Sequence, residues 1–167
     1  MLKLILNKKY NPLFSSDARY FIITGGRGSG KSFAVTVFLT LLTMTKGIRI
    51  LFTRFTMTSA HLSIIPEFLE KIGLLGFDEV FSINKAEVVN TSNKSDILFR
   101  GIRTSAGNQT ASLKSLQGIS TWVLDEAEEL VDENIFDTID LSIREKNIHN
   151  RVVLILNPVT KEHWIYK

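Results

Sequence analysis

There is no cysteine among the 167 residues. Disulfide staples and thiolate metal sites are thereby excluded, and a reducing compartment is the expected setting. The three histidines, His61, His149 and His163, are scattered without metal-ligand spacing. Only three prolines punctuate the chain, and it has no repeat, low-complexity tract or long linker. No apolar run suits a membrane span. "FAVTVFLTLLTM" has the length of a buried helix, and the opening "MLKLILNKKYNP" is too short for a signal peptide. With no export signal, the glycosylation-type triplets at Asn90 and Asn108 carry no meaning. Neither sign of charge dominates, with 20 lysines and arginines against 17 aspartates and glutamates. A net +3 permits contact with nucleic acid without arguing for it. What remains, 44% hydrophobic and 22% charged residues, suits one globular domain with its own core.

Apolar and turn patterns alternate along that domain. "YFIIT", Tyr20 to Thr24, predicts a buried strand ending at glycines. "KSFAVTVFLTLLTMTKG" predicts a helix stopped by Lys46-Gly47. "IRILFT", Ile48 to Thr53, predicts the next strand. "SAHLSIIPEFLEKIGLLG" predicts a helix with a kink or restart near Pro66. "AEVVNT" and "DILFRG", flanking "SNKS", predict a hairpin. Thr121 to Leu124 predicts a buried strand, "ENIFDTIDLSIRE" a helix, and "RVVLILNP", Arg151 to Pro158, the last strand. "TSAGNQTASLKSLQG" reads as a polar loop, and Trp122 and the phenylalanines read as core. Strands alternating with helices imply an α/β fold with a mostly parallel sheet, covered on both faces.

Ten glycines are present, and four of them fall within "GGRGSGKS", residues 25–32. Gly25, Gly26, Arg27, Gly28, Ser29, Gly30, Lys31 and Ser32 fit G-x-x-x-x-G-K-[ST] between a strand and a helix, the context this motif needs. Its glycines let successive backbone N–H groups face phosphate oxygens, and the following helix adds the positive end of its dipole. Lys31 is placed for the β- and γ-phosphates and the Ser32 hydroxyl for Mg²⁺.

An apolar strand delivers Asp125 to its end, where it can hold Mg²⁺. Glu126 follows, placed to polarise a water attacking the γ-phosphate. Glu128 and Glu129 suit a solvated acidic helix start. Asn157-Pro158 closes the last strand, and its amide is a candidate sensor of the γ-phosphate; a plain Asn-Pro turn is the alternative. Arg27 is a candidate phosphate contact within the loop. Arg54 sits at a strand end, suited to nucleotide, DNA, a neighbouring subunit or a surface salt bridge. Arg100, Arg103 and Lys114 flank the polar stretch and suit an arginine finger, DNA phosphates or solvent.

Together "RYFIITGGRGSGKSFAV", "IRILFTR", "DILFRGI", "LKSLQGISTWVLDEAEEL" and "LILNPVTKEHWIYK" resemble the ATPase domain of the large terminase subunit of tailed bacteriophages. "DEAEEL" and the "NP…HW.Y" ending are more specific than the glycine loop. The resemblance implies a P-loop NTPase core of the additional-strand, catalytic-glutamate type. It implies ATP and Mg²⁺ as ligands, Walker-A roles for Gly25 to Ser32, a Mg²⁺ role for Asp125 and a catalytic role for Glu126. Asn157-Pro158 would then be a coupling motif, and Arg19 and Tyr20 would lie on the adenine side. The implied activity is ATP hydrolysis driving double-stranded DNA into a procapsid in the host cytoplasm, away from membranes. The implied partners are a small terminase subunit, a portal protein and further copies in a ring. Residues 1–167 would be one ATPase domain, ending before a nuclease domain.

Overall fold

The computed structural model describes residues 4–57, 60–104, 107–158 and 160–166. In chain order its elements are α1 (Pro12–Ser15), β1 (Tyr20–Thr24), α2 (Lys31–Leu42), β2 (Arg49–Thr56), α3 (Ala60–Leu75), β3 (Phe81–Ile83) and β4 (Glu87–Asn90). They continue with β5 (Asp96–Thr104), β6 (Gly107–Asn108), α4 (Thr110–Lys114), β7 (Thr121–Asp125), α5 (Glu133–Asp140) and β8 (Arg151–Leu156). The sheet order is β1-β8-β7-β2-β5-β4-β3, with β6 paired to β5. Pairs from β1 to β5 are parallel, while β3, β4 and β6 join antiparallel.

The central strands are apolar run after run because both faces are covered. Side chains alternate across the sheet with period two. Ile50, Phe52, Val123, Val153 and Ile155 therefore meet Val35, Phe38, Ile65 and Phe68 of α2 and α3. Leu51, Trp122, Leu124, Val152 and Leu154 meet Leu113, Ile139 and Ile143 on the other face. Trp122 is fully buried and donates its indole N–H to Thr53 Oγ1 at 2.9 Å. Phe52, Phe68 and Phe99 pack edge-on or tilted within 5.8 Å.

The hairpin is present, with Val88 opposite Ile97. Asn90 is fully buried, its amide donating to the Thr43 carbonyl at 3.1 Å. Several elements differ from the sequence expectation. Helix α2 ends at Leu42, before Lys46-Gly47, where Thr43 closes the turn through its N–H to Leu39 and its hydroxyl to Thr40. Helix α3 runs through Pro66 without a restart. The bond that proline forfeits falls to the carbonyl of Leu62, a residue 73% exposed, where water can meet it. Helix α5 stops at Asp140, where the Ser142 hydroxyl donates to the Ile139 carbonyl at 2.6 Å; Ile143 is buried beyond it. Strand β3 was unexpected, and the polar stretch holds β6 and α4; Ser105 and Ala106 within it lie outside the described residues.

One consequence of the strand order governs the site. The glycine loop leaves β1 and the carboxylates leave β7, and β8 lies between them. All three strands are parallel, so their carboxyl ends open on the same edge.

Candidate active site

The loop after β1 turns back on itself before α2. Gly30 caps the helix with φ 82°, a left-handed conformation that only glycine adopts without strain. A Cβ on Gly25 would meet Ser29 Oγ at 3.0 Å, so a side chain there would crowd Ser29. The first turn of α2 carries no acidic residue, which leaves its positive end uncompensated. Tyr10, from the segment before α1, donates its hydroxyl to the Ser29 carbonyl at 2.9 Å and braces the loop from behind.

Lys31 opens α2 and is only 9% exposed. Its ammonium donates to the carbonyls of Gly25 and Gly26, the latter at 3.0 Å, and to Asn157 Oδ1 at 3.3 Å. Each of those partners is a neutral carbonyl. A buried cation held this way attracts an anion.

Across a cleft of about 360 Å³ stand Asp125 and Glu126. Asp125 ends a strand buried at every position. Arg54, in register with it on β2, donates two hydrogen bonds to Asp125 Oδ2, at 2.8 and 2.6 Å. The same guanidinium lies 3.7 Å from Glu126. Burial opposes the charge on Arg54, but Asp125 and Glu126 outweigh it and hold its pKa above the ordinary value. Glu126 itself adopts φ 54°, uncommon for a residue with a side chain, where the chain swings off the strand. Burial pushes its carboxyl above the usual carboxylate range; Arg54 opposes this, and Asp125, Glu129 and Glu128 add to it.

Asn157 follows β8 and stands between the two sides. Its Nδ2 donates to Glu128 Oε1 at 2.7 Å, while its Oδ1 accepts from Lys31. Among the described residues, Glu128 Oε2 is buried without a hydrogen-bond partner. Glu128 belongs to a 3₁₀ turn, Ala127–Glu129, followed by Leu130. The Leu130 carbonyl accepts from the Trp164 indole at 2.6 Å, and Trp164 stacks on Phe136 with centroids 4.6 Å apart.

The structure thus gathers Arg27, Gly28, Ser29, Gly30, Lys31, Ser32, Arg54, Asp125, Glu126 and Asn157 around one cleft. Arg27 and Ser32 are exposed there. Tyr20 is a correction: it does not reach the cleft. It begins β1, whereas the loop leaves the other end, about 13 Å away for four residues of strand. Its hydroxyl and Arg19 both bind Asp140 instead, at 2.9 and 2.8 Å. Arg100 donates to the carbonyls of Phe99 and Ala86. Arg103 is exposed beside Phe55, Glu129 and Asp132. Lys114 lies near Gly118 and Ile119, at the start of β7 and away from the cleft. Glu128 is also corrected, from solvated helix start to half-buried cleft wall. Tyr10 was missed. Neither residue carries a local signal, since chain folding brings Glu128 to the cleft wall and Tyr10 to the back of the loop.

A family model described as phage terminase large subunit matches residues 17–167. No curated protein matches the sequence. Among solved structures, the large terminase from a thermophilic bacteriophage superposes with TM-score 0.76 at 11% identity, over 98% of this chain and 42% of that one. The same terminase in complex with ATP-gamma-S superposes at 0.71, also at 11% identity, over 95% of this chain and 40% of that one. The N-terminal domain of the DNA packaging ATPase from bacteriophage phi29 matches at 0.68, with 16% identity over 96% of this chain and 83% of that one. At these identities the likeness shows a shared P-loop NTPase fold. The chain spans about 42% of the length of the first of these structures.

Proposed function

The chain belongs to the phage terminase large subunit family, and from that premise we propose that it hydrolyses ATP to drive DNA packaging. The observation that carries this reading is the meeting, in one cleft, of a buried ammonium with no anionic partner among the described residues and a carboxylate pair on the facing strand end. The solved thermophilic-phage terminase with ATP-gamma-S supports the choice of nucleotide.

The residues fit a magnesium nucleotide. Lys31, the loop N–H groups and the start of α2 bind and orient the phosphates. The Ser32 hydroxyl and Asp125 would hold Mg²⁺. An ion held there would supply positive charge to offset that of the phosphates. Arg54 donates to Asp125 Oδ2 alone, so that oxygen becomes a metal ligand only where Arg54 releases it. Glu126 accepts the proton of the attacking water at a carboxylate oxygen, and its raised pKa makes it a better base than an ordinary glutamate. Asn157 faces the γ-phosphate position from β8, and Arg27 stands at the rim for phosphate contact.

The proposed setting is a homo-oligomeric ring in the host cytoplasm, acting on double-stranded DNA with a portal protein and a small terminase subunit. In such a ring Arg103, exposed on the cleft edge of the sheet, is the best-placed arginine to reach a neighbour's site. The test is phosphate release from Mg·ATP by the parent and by Glu126→Gln. Turnover in the parent that falls by about 10²–10⁴-fold in the variant, with binding retained, supports the reading. Equal rates overturn it.

A further inference from the structure

We propose that Glu128 is the positioning residue for Asn157, and that the arrival of a γ-phosphate breaks the bond between them. The proposal rests on the cleft being an ATP site. Asn157 sits between a group that only donates and a group that only accepts. The Lys31 ammonium donates to Oδ1 at 3.3 Å, and the Glu128 carboxylate accepts from Nδ2 at 2.7 Å. The amide therefore has one orientation, with its oxygen turned toward the phosphate side.

That orientation is wrong for a phosphate. A phosphate oxygen is an acceptor and would face the amide oxygen, another acceptor, while claiming Lys31 for itself. The amide must turn to offer Nδ2 to the phosphate, and turning abandons Glu128. The backbone of Glu128 is held where it is. Its turn is fastened by Ala127 and Leu130, both fully buried, and by the Trp164 bond to the Leu130 carbonyl at 2.6 Å. The Glu128 carboxylate already keeps Oε2 buried without a partner among the described residues. Losing Nδ2 leaves both of its oxygens wanting donors. Glu128 thus competes with the γ-phosphate for one N–H. ADP, lacking that phosphate, leaves the Asn157–Glu128 bond in place.

The experiment is a double-mutant cycle in nucleotide affinity, with Mg·ATP-gamma-S and Mg·ADP titrated calorimetrically into parent, Glu128→Ala, Asn157→Ala and the double variant. A bond to a charged acceptor is strong enough to shift an equilibrium about tenfold or more. Glu128→Ala should therefore raise preference for ATP-gamma-S over ADP about tenfold. In the Asn157→Ala background the same change should alter that preference less than about twofold. A pure charge effect of removing the carboxylate would persist without Asn157, and that outcome overturns the proposal. An unchanged preference in Glu128→Ala overturns it as well. If Glu128→Ala melts below the assay temperature, Glu128→Gln carries the same cycle. It keeps an acceptor for Nδ2 but drops the charge, so a shift of about threefold that vanishes with Asn157→Ala is expected; no shift overturns the proposal. A parent that binds neither nucleotide would overturn the ATP reading itself, a result distinct from these.

Discussion

Replacing Lys31 by methionine separates what the ammonium does for the fold from what it does for a ligand. The side chain is 9% exposed, and its three hydrogen-bond acceptors are neutral: the Gly25 and Gly26 carbonyls and Asn157 Oδ1. Burying an unpaired cation costs the apo protein free energy, and methionine of similar length removes that cost. Against this, three acceptors lose a donor, each worth about 0.5–1.5 kcal/mol net, though two are loop carbonyls that water in the open cleft can reach. The terms oppose, so apo stability should change by no more than about 1 kcal/mol. In a domain of this size that is about 2–4 °C in Tm. The ligand has no such compensation. A hydrogen bond from an ammonium to a charged phosphate contributes about 1.5–3 kcal/mol, and more than one forms. Affinity for Mg·ATP-gamma-S should fall at least about tenfold to a hundredfold. Differential scanning fluorimetry of the apo protein and calorimetric titration read the two quantities. Unchanged affinity would refute the binding role. An apo Tm lower by 8 °C or more would refute the reasoning differently, by making Lys31 a structural brace of the loop.

Glu126→Gln should melt slightly higher than the parent at pH 7–8, because ionising a carboxyl whose pKa is raised in the fold costs stability; the difference should fade as pH falls through that raised value. In the parent, turnover should decline on the acid side at a pH above the ordinary glutamate pKa of about 4.3, since the base is lost as it protonates; an acid limb at or below that value would count against Glu126 as base. Tyr10→Phe removes the hydroxyl that holds the Ser29 carbonyl. It should cost about 0.5–1.5 kcal/mol in denaturant melts and weaken nucleotide binding with little change in fold; identical affinity would mean the loop needs no brace. Arg54→Ala leaves Asp125, with a side chain 8% exposed, without its counter-ion. It should destabilise the apo domain by up to about 3 kcal/mol, and millimolar Mg²⁺ should recover part of this; equal loss with and without Mg²⁺ would argue that Asp125 is not a metal ligand.

The glycine loop was legible because its geometry is local. Gly25 to Ser32 are contiguous, their conformations follow from missing side chains, and the flanking strand and helix are written in adjacent residues. Asp125 was legible for a similar reason, as an acid at the end of an unbroken apolar strand, and the parallel α/β class followed from strands alternating with helices. Helix limits were less so: Thr43 and Ser142 close their turns through hydroxyl bonds that propensity does not reveal. Tyr20, expected on the adenine side from the resemblance alone, begins β1 at the end opposite the loop, and its hydroxyl is held by Asp140. The rest of the cleft is non-local. Arg54 meets Asp125 because β2 and β7 pair in that register, across 71 residues of chain. Tyr10 reaches Ser29 because α1 folds back under the loop. Asn157 stands between Lys31 and Glu128 only because β8 inserts between β1 and β7. Strand order is settled by which apolar faces bury one another across the whole sheet, and no stretch of the chain contains that choice by itself. It was tertiary packing that turned Glu128 from a surface acid into the partner of the amide beside it.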